Sequence, residues 1–142
     1  MAIIVHEMNF GAVQALLTGT NGAVYKDMLK RGLLVESRAK ANLQSSPARV
    51  DTGRLRASIR ARMITLDGLP ASRVGTNVAY ALFVHDGTGL YGPRHHYIVP
   101  VNKSVLRWKS KSGGKGGYVY AKKSSGMRPN PFLKNALSAF RT

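Results

Sequence analysis

From Ala23 to about Ser45 the apolar residues Val24, Met28, Val35, Ala39 and Leu43 recur at multiples of three to four residues, with Lys30, Glu36, Arg38 and Lys40 mostly elsewhere. This pattern predicts an amphipathic helix about 35 Å long at 1.5 Å per residue. Such a helix buries one stripe and must find a partner layer to cover it. Gly32 weakens it locally by up to about 1 kcal/mol relative to alanine. Pro47 ends it, because the residue before a proline is driven out of the helical region.

Upstream, Ile3 to Val5 suits a short strand or a docking arm, and Phe10 to Leu17 suits a short helix before the Thr18–Gly22 break. Downstream the period changes. Arg54 to Thr65 alternates in part, setting Leu55, Ala57, Ile59, Ala61 and Met63 against Arg54, Arg56, Ser58, Arg60 and Arg62. A period of two predicts a strand, begun at most by a helical turn, with one apolar and one basic face. Asp67 to Pro70 reads as a turn and Ala71 to Gly75 as the returning strand. Ala79 to His85 is too short for its period to separate helix from strand, and Gly87 to Arg94 reads as loop.

Tyr97–Val101 and Val105–Trp108 read as strands, Lys109–Gly117 as a flexible basic tip, and Tyr118–Ala121 as the return, giving an extended hairpin over 97–123. A last helix, Phe132 to Phe140, has Pro131 in its first turn, Asn130 as N-cap, and an apolar face of Leu133, Ala136, Leu137 and Phe140. The expected fold is one α+β domain over 1–142: a small antiparallel sheet packed against a long N-terminal helix and a short C-terminal helix, with the N-terminal arm and short helix over 1–20.

Charge narrows the possible partners. Lys and Arg number 22 against six Asp and Glu, a net charge of +16. That excess implies a polyanionic neighbour or compensating acidic proteins. Asp86 is the last acidic residue, and eleven Lys and Arg follow it, from Arg94 to Arg141. Cysteine is absent, which excludes a disulfide frame and a cysteine zinc site. Apolar runs fall well short of the roughly 20 residues a bilayer requires, and Met1–Val5 lacks the features of a signal peptide. The expectation is a soluble protein made in a cytoplasm, with no membrane partner and no cofactor.

Motifs for chemistry are weak. Asp51-Thr52-Gly53 matches the aspartic-protease triplet, but a helix precedes it and Arg54 follows. A neighbouring cation favours two anionic carboxylates over one shared proton. A turn, with Gly53 supplying an unusual dihedral, fits better. His85, Asp86, His95 and His96 show no repeated metal-ligand spacing. Gly113-Gly114-Lys115-Gly116-Gly117 lacks the spacing and the following Ser or Thr of a phosphate loop. No catalytic or metal-ligating set emerges, so no enzyme is expected. Trp108, Tyr118 and Tyr120 could stack on a single strand or pack on each other.

Three phrases carry a resemblance: Val50-Asp51-Thr52-Gly53-Arg54-Leu55-Arg56-Ala57-Ser58, Val74 to Thr88 with Gly75, Tyr80, Ala81, Val84, Gly87 and Thr88, and Met127 to Leu133 with Pro129, Pro131 and Phe132. In this order, in a small basic chain, they resemble the head-tail joining (tail-component or tail-completion) proteins of long-tailed bacteriophages. One departure is His85-Asp86 before Gly87-Thr88, where many relatives carry an acidic residue and an aromatic.

The resemblance favours a helix at Ala79–His85. It implies a structural virion protein of the neck, a homo-oligomeric ring between a head-closure protein and the tail terminator or tail tube, hexameric or alternatively dodecameric, around double-stranded DNA. Arg54, Arg56, Arg60 and Arg62, and Lys109, Lys111 and Lys115 in the hairpin tip, are then candidates for the DNA channel or inter-ring contacts. A free, sequence-nonspecific nucleic-acid-binding protein is the alternative.

Overall fold

The computed structural model describes residues 10–44, 52–110 and 117–139. The order is α1 (Phe10–Thr18), α2 (Ala23–Gln44), α3 (Arg54–Ser58), β1 (Arg60–Leu66), β2 (Leu69–Gly75), α4 (Ala81–Asp86), a 3-10 turn (Gly89–Tyr91), β3 (Leu106–Lys109), β4 (Tyr118–Ala121) and α5 (Phe132–Ser138). The chain is α+β, as its patterning indicates, with β1–β2 packed against α2.

The 22 residues of α2 form the spine. Val35, Ala39 and Leu43 are buried on one stripe, as the periodicity requires, while Val24 and Met28 are half-buried. Gly32 is buried on the same side, and a Cβ there would run into Ser72 of β2. The glycine that weakens the helix therefore lets a strand approach its backbone. The core joins Val35, Ala39 and Leu43 to Leu55, Ile59, Ala81, Val84, Phe132 and Ala136. It lies mainly between α2 and the short helices α3, α4 and α5. Phe132, fully buried, stands at its centre with the His85 ring edge-on at 5.6 Å.

Several local expectations are corrected. The helical turn left open at the start of Arg54 to Thr65 is present and spans Arg54–Ser58, so the strand is shorter than that stretch and begins at Arg60. Leu55 and Ile59 stand four apart as well as an even number apart, so alternation and helical spacing both describe them. Ala57, which alternation would bury beside them, is exposed, and its N–H bonds to the carbonyl four residues back, as in a helix. Gly53, at φ 77°, starts the turn, and its carbonyl accepts the Ala57 N–H at 2.9 Å.

The β1–β2 turn is tighter than Asp67–Pro70. Leu66 pairs with Leu69, leaving Asp67 and Gly68 as the loop, at φ 51° and 79°. Positive φ at both central residues is the twist-matched hairpin turn that Asp-Gly favours. Pro70 lies in β2 opposite Thr65. Alternation from the turn makes that a non-hydrogen-bonded pair, where the missing N–H costs the ladder nothing.

Tyr97–Val101 is not a strand; its one bridge is Ile98 with Ser124. The β3–β4 hairpin forms a separate two-stranded sheet, with Leu106 opposite Ala121 and Lys109 opposite Tyr118. Asn130 does not cap α5. Its side-chain amide donates to the Asn42 carbonyl at 3.2 Å, and the Asn42 amide donates to the Phe132 carbonyl at 3.0 Å. This reciprocal clamp ties the end of α2 to the start of α5, where Pro131 takes the cap position with no side-chain cap bond. Leu137 is exposed, so the apolar face of α5 is narrower than its sequence suggests. Ile3–Val5, Pro47 and Phe140 lie outside the described residues.

Candidate nucleic-acid interface

The residues of the three phrases are brought together by backbone. Thr88 N–H donates to the Met127 carbonyl and Met127 N–H donates to Thr88 Oγ1, each at 2.9 Å; Leu90 N–H reaches the Ser125 carbonyl at 2.9 Å. Asn130 N–H donates to the Val84 carbonyl at the end of α4, also at 2.9 Å. Gly87 at φ 80° and Gly126 at φ 84° adopt backbone that side chains disfavour. A Cβ on Gly126 would meet the Thr88 carbonyl, and one on Gly87 would meet Met127 and Pro129.

The first phrase joins at Ser58. Its hydroxyl donates to the Leu55 carbonyl at 2.7 Å, leaving Thr76 to donate across the 2.5 Å Ser58–Thr76 contact while its oxygen accepts the Val78 N–H. Gly75 closes β2 opposite Arg60, and Tyr80 precedes α4 half-exposed. Thr52 Oγ1 accepts only a long 3.4 Å bond from Arg54 N–H. Asp51 lies outside the described residues. These positions build a junction of chain segments.

The charged positions lie elsewhere and do not form one cluster. Arg54 and Arg56, two residues apart on α3, are about 200° apart around a helix of 3.6 residues per turn, on opposite sides of buried Leu55. Neither lines the concavity that holds Arg60 and Arg62. Lys109 ends β3, while Lys111 and Lys115 lie outside the described residues. On the β3–β4 hairpin Trp108 pairs with Val119, and the Arg107 guanidinium lies 3.7 Å from the centre of the Tyr118 ring. One aromatic face is thus already occupied by a cation.

The register of β1–β2 supplies a residue that sequence patterning missed. Arg62 is directly opposite Arg73, and both are exposed. Asp67-Gly68 taken as a two-residue hairpin loop would have given this pair from the sequence. With Arg60 they line a shallow concavity of about 570 Å³ that also holds Ser58, Thr76 and Asn77.

Among the described residues no carboxylate lies within ion-pair distance of Arg62 or Arg73. Arg60 has only a 3.8 Å approach to Glu36. Glu36 Oε1 is already held by Lys40 Nζ at 2.5 Å, and Oε2 accepts the Ala61 N–H at 2.6 Å. The Lys40 bond chiefly, then the Ala61 N–H and the charges of Lys40 and Arg60, hold the Glu36 carboxyl below its ordinary range against the opposing effect of burial. Glu36 therefore serves the α2–β1 contact and leaves the arginine face electropositive.

His85 Nδ1 and Asp86 Oδ1 are 2.6 Å apart, and His95 Nδ1 is 3.0 Å from the Leu90 carbonyl. Among the described residues no group of three or more His, Asp and Glu is arranged to hold a metal ion, and no helix is long and apolar enough to cross a membrane. Compared with protein-family models, curated proteins and solved structures, the chain matches none.

Proposed function

We propose that this chain is a structural subunit of a bacteriophage neck, forming a ring that joins the DNA-filled head to the tail and surrounds the DNA channel. The observation that carries the reading is the uncovered apolar surface of α1 and α2. Val13, Leu16 and Leu17, and Leu29, Leu33 and Leu34, are all at least 36% exposed. Apolar residues grouped in this way favour burial between copies, and a closed ring covers such a surface on every subunit. The sequence resemblance supplies the kind of ring, and the unneutralised arginines supply what a DNA channel needs: positive charge without base reading.

By analogy with tail rings the ring is six-fold, with twelve-fold as the alternative. Its neighbours are a head-closure protein and the tail terminator or tail tube, and the virion neck is its location after synthesis in the host cytoplasm. The role is structural, with no catalytic step. The Arg62–Arg73 pair would equally serve a free nucleic-acid-binding monomer. Deleting the gene from its phage separates the two: the neck role requires filled heads and free tails that fail to join, and normal infectious particles would refute it.

A further inference from the structure

We infer that the outer face of the β1–β2 hairpin is a phosphate-contacting site for the backbone of double-stranded nucleic acid, centred on Arg62 and Arg73 with Arg60 beside them. This deepens the DNA-channel part of the reading above and rests on it for biological setting; the contact itself follows from the hairpin. Like charges directly opposite on paired strands oppose the fold. Here they are exposed, unpaired with any carboxylate among the described residues, and joined on the same face by a third arginine whose nearest carboxylate is already engaged. An anion seated between them turns that repulsion into attraction.

The geometry suits phosphate. Arg60 and Arg62 are one pleat repeat apart, about 6.8 Å along the strand, comparable to the separation of successive phosphates on one nucleic-acid strand. Arg73 approaches from the neighbouring strand. Guanidinium forks bind phosphate oxygens bidentately, and exposed Asn77 adds an amide at the rim of the concavity.

The choice of duplex follows from what the face lacks. Its residues are Arg60, Arg62, Ile64 and Leu66 on β1 and Leu69, Ala71, Arg73 and Gly75 on β2. None is aromatic, so unstacked bases of a single strand find no platform. Contacts to phosphate position a protein on the duplex and carry no sequence information, so a face that grips the backbone binds without selecting sequence. An acidic protein segment is the competing occupant.

The test is fluorescence anisotropy with a short labelled DNA duplex, on the full chain and on two double variants of equal charge, Arg62→Gln with Arg73→Gln and Arg54→Gln with Arg56→Gln. Removing the hairpin pair is expected to weaken binding at least about tenfold and to lower the slope of log affinity against log salt by about 2, at roughly 0.9 per phosphate. Removing the α3 pair is expected to change affinity less than about threefold, as for general charge loss. Equal losses in the two variants would show diffuse attraction and overturn the site, as would unchanged binding in the hairpin variant.

Polyglutamate of matched charge that competes as well as duplex would assign the face to an acidic protein and also overturn it. If the double variant does not fold, Arg73→Gln alone carries the test, with a slope reduced by about 1. Sedimentation velocity on the same samples separates the two readings. A normal ring with unchanged duplex binding in the hairpin variant sinks this site and leaves the ring standing. Binding that depends on Arg62 and Arg73 without any ring does the reverse.

Discussion

The junction between Gly87–Met127 and α5 and the outer face of β1–β2 treat their polar groups in opposite ways. In the junction the N–H groups of Thr88, Met127 and Leu90 donate to the Met127 carbonyl, Thr88 Oγ1 and the Ser125 carbonyl, each at 2.9 Å, and Asn42 and Asn130 clamp two helix ends. On the hairpin face two arginines oppose one another with no carboxylate partner among the described residues. The first region is satisfied within the chain; the second leaves its charges to solvent. Recognisable sequence phrases therefore mark where the fold is made, and the charge proposed to meet a partner lies mostly beside them. Substitutions in the two regions should consequently trade effects, with stability lost in one and polyanion affinity in the other.

The largest stability loss is expected from Phe132→Ala, which empties the centre of the core. It should cost about 3–5 kcal/mol by chemical denaturation while leaving the charge, and hence polyanion affinity of whatever remains folded, unchanged. Gly126→Ala should follow at roughly 1–3 kcal/mol, since it combines a positive φ with a clash against the Thr88 carbonyl. A loss under a few tenths of a kcal/mol at either position would break the contrast.

Gly32→Ala sharpens it. Helix propensity alone favours alanine by up to about 1 kcal/mol, but the added Cβ meets both Cβ and Oγ of Ser72. A net loss of about 1–3 kcal/mol is expected from overpacking, and it should shrink in a Ser72→Gly background. If Gly32→Ala stabilises the protein, α2 and β2 are not in close contact.

Glu36→Gln should cost about 1.5–3 kcal/mol, the usual range for hydrogen bonds to a charged group. Because the folded carboxyl is held below its ordinary range, the stabilisation is fully present above the unfolded carboxylate pKa and is lost as pH falls through the lower folded value. The wild type should thus lose stability in acid, below the ordinary glutamate range, more steeply than the variant. Parallel pH curves would remove Glu36 from the α2–β1 contact.

The smallest effect on stability belongs to Arg73→Gln. Relief of the cross-strand repulsion should leave stability unchanged or raise it by about 0.2–1 kcal/mol, seen as a slightly higher melting temperature, in the same variant that loses duplex affinity. A marked loss of stability would mean that Arg73 serves the fold.

How far each region was legible in the sequence follows from the range of its interactions. The spine helix was legible because its apolar repeat runs from Val24 to Leu43, about five turns. The short first helix was legible because Ala12, Val13, Leu16 and Leu17 follow the same spacing before the Thr18–Gly22 break. Arg54–Ser58 was legible only as an optional helical turn before a strand, because Leu55 and Ile59 satisfy two periods at once and it is the exposure of Ala57 that separates them. Arg73 was recoverable in principle from the Asp67-Gly68 turn, which fixes the register. The Asn42–Asn130 clamp and the Glu36 bond to Ala61 join residues far apart in the chain, and no local pattern announces them. Of the proposed site, Arg60 and Arg62 were visible as charge, but their separation from Arg54 and Arg56 required the strand boundary.

The most direct measurement is a cryo-electron microscopy reconstruction of the assembled neck with DNA in its channel. A closed ring with its α1 and α2 apolar residues covered and with Arg60, Arg62 and Arg73 facing the duplex is the expected result. A map that sets those three arginines on the outer rim, away from DNA, or that contains no ring of this chain, would contradict it.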